Sequence, residues 1–154
     1  MRCKLLKIDE SAYRKVIQQA QSAWPLECCG ALVGTSSEGV PHVWEALPAT
    51  AAETLADPRE FRISAGELVG FQAQASRSRH EILGFFHSHP DAPPTPSQAD
   101  LEGAMWTDCF TLIVAVDAHG SVQTRVYLLT GNALATRAFL PTRLEIVALR
   151  EQTS

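Results

Sequence analysis

The sequence predicts an α/β fold with a mainly antiparallel or mixed sheet. Short apolar runs bounded by Gly, Pro and other turn residues indicate strands, and they alternate with segments whose apolar residues recur at helical spacing. A chain of 154 residues, 45% hydrophobic and 19% charged, fits one domain with a sizeable core. We therefore predict a single domain over 1–154, with a core over 1–140 and a C-terminal helix or tail over 141–154.

The strands are predicted from apolar runs and from the turns that separate them. The turn residues at 117–120 and at 35–39 each join two such runs and predict hairpins. The polar segment 49–58 has no periodicity and is predicted as a loop. The predicted strands are, in chain order, 4–8, 29–34, 40–47, 60–63, 81–87, 110–116 and 122–129.

Helices are predicted where a capping residue precedes regularly spaced apolar residues. The first begins after Asp9 or Ser11 and ends before Pro25, because proline cannot continue a helix. The second covers 65–76 behind a capping serine, and a short third helix opens at Ser97. The tail is rich in good helix formers, which favours the final helix.

The charge balance disfavours one class of partner. A net charge of −4 leaves no broad basic face for nucleic-acid phosphates. No apolar run approaches the roughly 20 residues of a membrane span, and the first ten residues lack the basic and then apolar order of a signal peptide. The sequence predicts a cytoplasmic protein that binds neither nucleic acid nor membrane.

The cysteines indicate what kind of metal site the chain can build. Cys28 and Cys29 are adjacent while Cys3 and Cys109 stand alone, a spacing that fits neither a disulfide framework nor a Cys-x-x-Cys zinc element. We predict that all are reduced and leave Cys28 and Cys29 out of the catalytic set, their roles open. Any metal must then be held mainly by histidine and carboxylate.

Residues 87–100 supply those ligand types. On extended backbone His87 and His89 point to the same face, and a helix that opens at Ser97 could bring Asp100 to them. Two imidazoles and one carboxylate leave the fourth position of a tetrahedral zinc open for water, as in catalytic sites. The same donors also suit Fe(II) and other divalent ions, so the residues alone leave the metal open.

Each half of this pattern has a second interpretation. Ser97 and Asp100 at this spacing also form a capping box without any metal. A His-x-His pair at a strand end is often only hydrogen-bonded or solvated. Their joint occurrence favours a metal site.

The whole pattern resembles the JAMM motif of the MPN+ zinc metalloproteases. The letters H-S-H-P at 87–90 are followed by seven residues and then by S-x-x-D at 97–100. Upstream, Glu27 precedes Cys-Cys-Gly-Ala-Leu-Val-Gly, which is similar to the family's glutamate beside small residues. The likeness covers most of 26–129 and is greatest to small stand-alone bacterial members, the Mec-like group that processes sulfur carrier proteins.

This resemblance implies a cytidine-deaminase-like JAMM/MPN fold, a curved mixed sheet flanked by helices, with zinc as cofactor. It implies that His87, His89 and Asp100 hold the zinc. Glu27 would accept a proton from the zinc-bound water and pass it to the leaving amine, while Ser97 would hydrogen-bond the oxyanion beside the metal.

The resemblance also implies a substrate class. Members of this kind hydrolyse an amide bond after the C-terminal Gly-Gly of a ubiquitin-like sulfur carrier protein, and a Gly-Gly tail can lie extended in a narrow groove. The identity of the carrier, the choice between peptide and isopeptide bond, and a homodimeric state stay open. Two alternatives are a catalytically silent MPN-type scaffold that dimerises with a partner, and a zinc hydrolase of small molecules.

Overall fold

The computed structural model describes residues 5–36, 39–50, 63–104 and 106–148. In this part of the chain a mixed sheet of seven strands curves until it closes, with the order β1-β3-β2-β4-β5-β6-β7 and β7 paired back to β1. The strands are β1 (Leu5–Asp9), β2 (Cys29–Thr35), β3 (His42–Pro48), β4 (Glu81–Pro90), β5 (Phe110–Val116), β6 (Val122–Thr130) and β7 (Ala138–Val147). The helices are α1 (Glu10–Ala23), α2 (Ala65–Arg77) and α3 (Gln98–Gly103), with a 3₁₀ turn at Leu134–Thr136.

The pairing confirms the predicted curved mixed sheet. Strand β1 is parallel to both β3 and β7, and β4 is parallel to β5, whereas the remaining neighbours are antiparallel. Both predicted hairpins, β2–β3 and β5–β6, are present. Strands β4 and β5 approach closely at Gly84, where a Cβ would lie 2.1 Å from the carbonyl oxygen of Phe110.

Helix α1 begins and ends where the sequence predicts. The side chain of Asp9 accepts a hydrogen bond from the backbone N–H of Ser11 and caps the first turn. The helix ends at Ala23, just before Trp24-Pro25. Among the described residues, no helix combines the length and apolarity that a membrane crossing requires.

Two apolar clusters lie on opposite faces of the sheet. Helix α1 covers one face, where Val16 and Ala20 are buried with residues such as Leu32. Helix α2 covers the other face, where Phe71 packs with Ala31. Ala31 directly precedes Leu32 in β2, so the two side chains point to opposite faces. The alternation along β2 follows from the strand period of two, and it holds the central strands between two packed layers.

The C-terminal helix predicted after residue 141 is wrong, because residues 138–147 form strand β7. This strand pairs antiparallel with β6, as in Leu128 with Leu140, and parallel with β1, as in Leu6 with Leu144. Helix propensity is a weak preference. Here the hydrogen bonds to the edges of β1 and β6 outweigh it, because the backbone groups of those edges would otherwise lack partners. The boundary predicted at 140 between core and tail is wrong for the same reason, since β7 crosses it and closes the barrel. Residues 149–154 lie outside the described residues.

Two further predictions concern the middle of the chain. The loop at 49–58 and the strand at 60–63 fall mostly outside the described residues, and Ile63 lies outside any strand but is buried. Strand β4 continues three residues beyond the predicted end at 87. Both histidines of the His-x-His pair therefore lie within one strand.

Candidate metal centre

Strand β4 carries His87 and His89 on one face near its end. The strand is held on both edges, by β2 antiparallel and by β5 parallel, and His87 pairs with Cys29 across the β2 edge. The residue between them, Ser88, is fully buried on the other face, and His89 is only 8% exposed. The backbone that presents the two imidazoles is therefore fixed by pairing on both sides.

Asp100 reaches the histidines from the first turn of α3. Ser97 caps this helix: its hydroxyl accepts from the backbone N–H of Asp100 at 3.0 Å, and the Asp100 carboxylate accepts from the backbone N–H of Ser97 at 2.8 Å. The capping box and the ligand cluster are thus present together. A carboxylate has two oxygens and about four acceptor positions, so both functions fit on one side chain.

Three side chains of the centre converge on one point. The Nε2 atoms of His87 and His89 are 3.2 Å apart, and each lies 3.1 Å from a carboxylate oxygen of Asp100. A tetrahedral zinc with ligand distances of about 2.0–2.2 Å would separate its ligand atoms by roughly 3.3–3.6 Å. The three donors therefore fit zinc in both chemistry and spacing, and they are arranged to bind it.

The ring of His89 is oriented by the loop that follows β4. Its Nδ1 lies 2.9 Å from the carbonyl oxygen of Pro93, which can only accept, so Nδ1 carries a proton and Nε2 is the ring atom that faces the cluster. The loop is in turn fixed by the buried Tyr127, whose hydroxyl donates to the carbonyl of Pro94 at 3.0 Å. A third bond runs from the backbone N–H of Asp91 to the carbonyl of Val116.

The ionisation of the cluster shows what charge it favours. Burial alone would raise the pKa of Asp100, but hydrogen bonds and charge from His87 and His89 lower it well below its usual range. Burial likewise lowers the pKa of His89, yet the bonds to Asp100 and Pro93 and the charges of Asp100 and Glu27 outweigh it and raise that pKa. The Asp100 carboxylate is therefore ionised beside the two imidazoles, which is the form that a metal ligand needs.

Glu27 lies beside this centre, two residues before β2 begins. The backbone N–H of Ser88 donates to the carbonyl of Cys28 at 3.0 Å and continues the pairing of Cys29 with His87 by one residue. Glu27 directly precedes Cys28 in the chain, and its charge contributes to the raised pKa of His89. The five residues singled out in the sequence thus occupy one region of the molecule.

The two neighbouring thiols are poor nucleophiles. Cys29 is buried in the cluster under α2, and Cys28 is partly buried against the cluster under α1. Burial raises the pKa of both thiols above its ordinary value.

In the part of the chain that the structure describes, the cluster with metal-ligand spacing consists of His87, His89 and Asp100.

Two supporting residues were not found from the sequence. Arg137 donates from its guanidinium to the carbonyls of Leu101 and Ala104 at the end of α3, at 3.4 and 3.1 Å. It thereby holds the helix that carries Asp100. Neither Arg137 nor Tyr127 is near the motif in sequence, and no local pattern marks an arginine or a tyrosine as the partner of a distant carbonyl.

Comparison with known proteins gives three findings on family and relatives. Residues 9–128 match a family model described as prokaryotic homologs of the JAB domain. A desampylase of Haloferax volcanii is 33% identical over 100 residues, which cover 62% of this chain and 66% of that protein. A desampylase of Pyrococcus furiosus is 30% identical over 102 residues, 66% of this chain and 69% of that protein. The matches thus span about two thirds of these relatives.

Solved structures share the fold over nearly the whole chain. A protein of Desulfitobacterium hafniense superimposes with a TM-score of 0.79 at 19% identity, covering 96% of this chain and 97% of that one. A JAB1/MPN domain protein of Archaeoglobus fulgidus does so with a TM-score of 0.54 at 20% identity, covering 92% and 96%. At these identities the likeness shows the fold, which is that of JAB1/MPN domain proteins.

Proposed function

The chain belongs to the prokaryotic homologs of the JAB domain, and from this premise we propose that it is a zinc-dependent hydrolase of the JAMM type. Its reaction is the hydrolysis of an amide bond after the C-terminal Gly-Gly of a ubiquitin-like sulfur carrier protein. The observation that carries the proposal is the convergence of His87, His89 and Asp100 at 3.1–3.2 Å. In this proposal these three residues are the metal ligands.

The chain supplies two further groups around the metal. Zinc, when bound, supplies a Lewis acid that makes water a nucleophile at neutral pH. The Glu27 carboxylate takes a proton from the attacking water as the oxygen bonds to the scissile carbon, and it returns that proton to the amine nitrogen as the C–N bond breaks. Glu27 lies within electrostatic range of His89, where its charge is the smallest of the causes that raise the pKa of this histidine, and this proximity supports the assignment.

Ser97 is proposed to stabilise the oxyanion. Its hydroxyl oxygen already accepts the backbone N–H of Asp100, and a hydroxyl has a proton to donate as well. The residue is exposed, so a substrate carbonyl can reach that proton. Donation to the developing negative charge would lower the barrier by more than it strengthens substrate binding.

The substrate class is supported by the relatives and by the motif. Both curated relatives are named desampylases, which favours a ubiquitin-like protein over a small molecule as the substrate. A tail of two glycines can pass close to a backbone, where side chains would collide. We place the reaction in the cytoplasm, since the three described cysteines are free thiols.

The proposal is tested with one ubiquitin-like carrier in two amide forms. Its Gly-Gly terminus is either extended by a short peptide or joined to a lysine side chain, and cleavage of each is followed by mass spectrometry. We expect about one zinc per chain and cleavage of at least one form. Release from both forms at similar rates indicates a site that recognises the tail rather than the leaving group.

Three variants separate the roles of the residues. The double variant His87→Ala/His89→Ala should lose zinc and activity. Glu27→Gln should keep zinc but lose roughly a hundredfold in rate, the scale of a general base. His119→Ala, a histidine in the β5–β6 turn, is the matched control and should change neither. Full activity in Glu27→Gln, or a protein that binds no metal when zinc is supplied, would contradict the proposal.

A further inference from the structure

We infer that Ser88 is a positioning residue that fixes the Glu27 carboxylate relative to the two histidines. The inference rests on the role proposed for Glu27. Ser88 lies between His87 and His89 in β4 and is 0% exposed. Because successive side chains of a strand alternate, its hydroxyl lies on the face opposite the two imidazoles and can touch neither metal nor substrate. Any effect on the reaction must therefore pass through another residue.

The contacts of Ser88 lead to Cys28, the residue after Glu27. The Ser88 hydroxyl accepts the backbone N–H of Cys28 at 2.9 Å, and the Ser88 N–H donates to the Cys28 carbonyl at 3.0 Å. Burial raises the pKa of the Cys28 thiol, and the same hydroxyl lowers it and so offsets part of that rise. One side chain thus holds the backbone of Cys28 at the point where β2 has not yet begun.

This attachment matters because Glu27 lies outside the regular strand. Strand β2 begins at Cys29, so regular sheet pairing alone does not fix the peptide on the C-terminal side of Glu27. A buried bond in low dielectric is stronger and less exchangeable than an exposed one. The Ser88 hydroxyl therefore extends the fixed backbone by one residue, to Cys28. It thereby fixes the position of Glu27 through a bond on the face of the sheet opposite the histidines.

A second contact holds the other side of the same segment. The indole N–H of Trp24 donates to the carboxylate of Asp91 at 3.2 and 3.3 Å, and Asp91 directly follows β4. The segment 24–28 is therefore attached at both ends to the strand that carries the histidines. The indole contact is exposed to solvent, whereas the Ser88 side chain is fully buried, so the Ser88 contact is the one we expect to control the position of Glu27.

The test is a double-mutant cycle on the zinc-loaded protein. The probe is the Gly-Gly carrier protein that the wild type cleaves. Ser88→Ala should lower kcat at least tenfold, since a displacement of about 1 Å of a catalytic group can cost a hundredfold. In the Glu27→Gln background the same substitution should change kcat less than twofold, because the group it positions is already disabled.

Two further readouts do not depend on activity. The zinc content and the absorption spectrum of the cobalt-substituted protein should be unchanged in Ser88→Ala, because the ligands are untouched. The amide of Cys28 should exchange with solvent at least tenfold faster than in the wild type, since its acceptor is gone. Thr35→Val is the control: it removes a hydroxyl that also accepts an N–H, from the indole of Trp44, at the opposite end of β2, and should leave kcat unchanged.

The outcomes separate this inference from the proposed function. Unchanged kcat in Ser88→Ala, or an equal loss in the wild-type and Glu27→Gln backgrounds, overturns the positioning role. Full activity in Glu27→Gln alone overturns the function proposed for that residue instead. If Ser88→Ala does not fold, Ser88→Cys keeps the shape of the side chain with a larger atom that is a weaker acceptor. Its loss should then be at least fivefold in the wild-type background and less than twofold in Glu27→Gln.

Discussion

Asp100→Asn should remove the metal without unfolding the protein. In the wild type the Asp100 carboxylate accepts the backbone N–H of Ser97 at 2.8 Å. The amide of asparagine keeps an oxygen that can accept the same N–H, so the cap of α3 stays in place. The lost charge also weakens the bonds to His87 and His89. With one cap retained and two contacts weakened, we expect the metal-free variant to lose about 1 kcal/mol of unfolding free energy.

The zinc-dependent part of the stability should fall much further. At a zinc concentration of 100 times Kd, binding stabilises the wild type by about 2.7 kcal/mol. For a chain of this size that corresponds to a rise in Tm of roughly 5–11 °C. If the neutral amide weakens binding about a hundredfold, the same zinc concentration equals the Kd of the variant. The stabilisation is then only about 0.4 kcal/mol.

The assay is thermal and urea unfolding with and without zinc for three proteins. Asp117→Asn is the control, because Asp117 is a carboxylate that likewise accepts backbone N–H groups, those of His119 and Ser121, but does not belong to the ligand cluster. We expect a zinc-dependent shift in the wild type and the control, and almost none in Asp100→Asn. A shift of wild-type size in Asp100→Asn would mean that zinc binds elsewhere, and the ligand assignment would be refuted.

Three further predictions concern the surroundings of the centre. Ser97→Ala should cost about 1 kcal/mol in urea unfolding and slow turnover of the zinc-loaded enzyme; unchanged kcat would exclude the oxyanion role. Tyr127→Phe should cost about 1–2 kcal/mol, because the Pro94 carbonyl loses its partner, and should weaken zinc binding in a chelator competition; equal affinity would show that the loop does not orient His89. Cys109, whose pKa burial and the charges of Asp108 and Glu81 raise to about 11, should react with iodoacetamide at pH 8 at least tenfold more slowly than an exposed thiol. Its rate should rise with pH as the thiolate forms, and rapid labelling at pH 8 would contradict the raised pKa.

Local signals predicted most of the fold. The cap at Asp9, the proline after Trp24 and the turn at 117–120 are short-range features, and each element they predict is present. Strand β7 was missed because nothing in its own residues demands a sheet. Its partners, β6 and β1, lie on either side of it in the barrel, and β1 is at the other end of the chain. That kind of pairing is decided by the tertiary structure.

The same contrast applies to the candidate site. The sequence predicts that His87, His89 and Asp100 come together, because a strand and a helix cap have fixed geometry. The supports of that site, Arg137 and Tyr127, act on backbone carbonyls far away in the chain. A carbonyl is present in every residue, so the sequence contains no mark of which one a side chain will reach.

The two interpretations of Ser97 and Asp100 that compete in the sequence are complementary in the structure. A helix of six residues is too short to be stable alone, so α3 depends on its capping box and on Arg137. The bond that caps the helix also fixes the Asp100 carboxylate against the histidines. The capping box therefore restrains one of the three donors through the fold itself, so less ordering of that donor remains to be done on binding. A capping box at this position is part of the metal centre rather than an alternative to it.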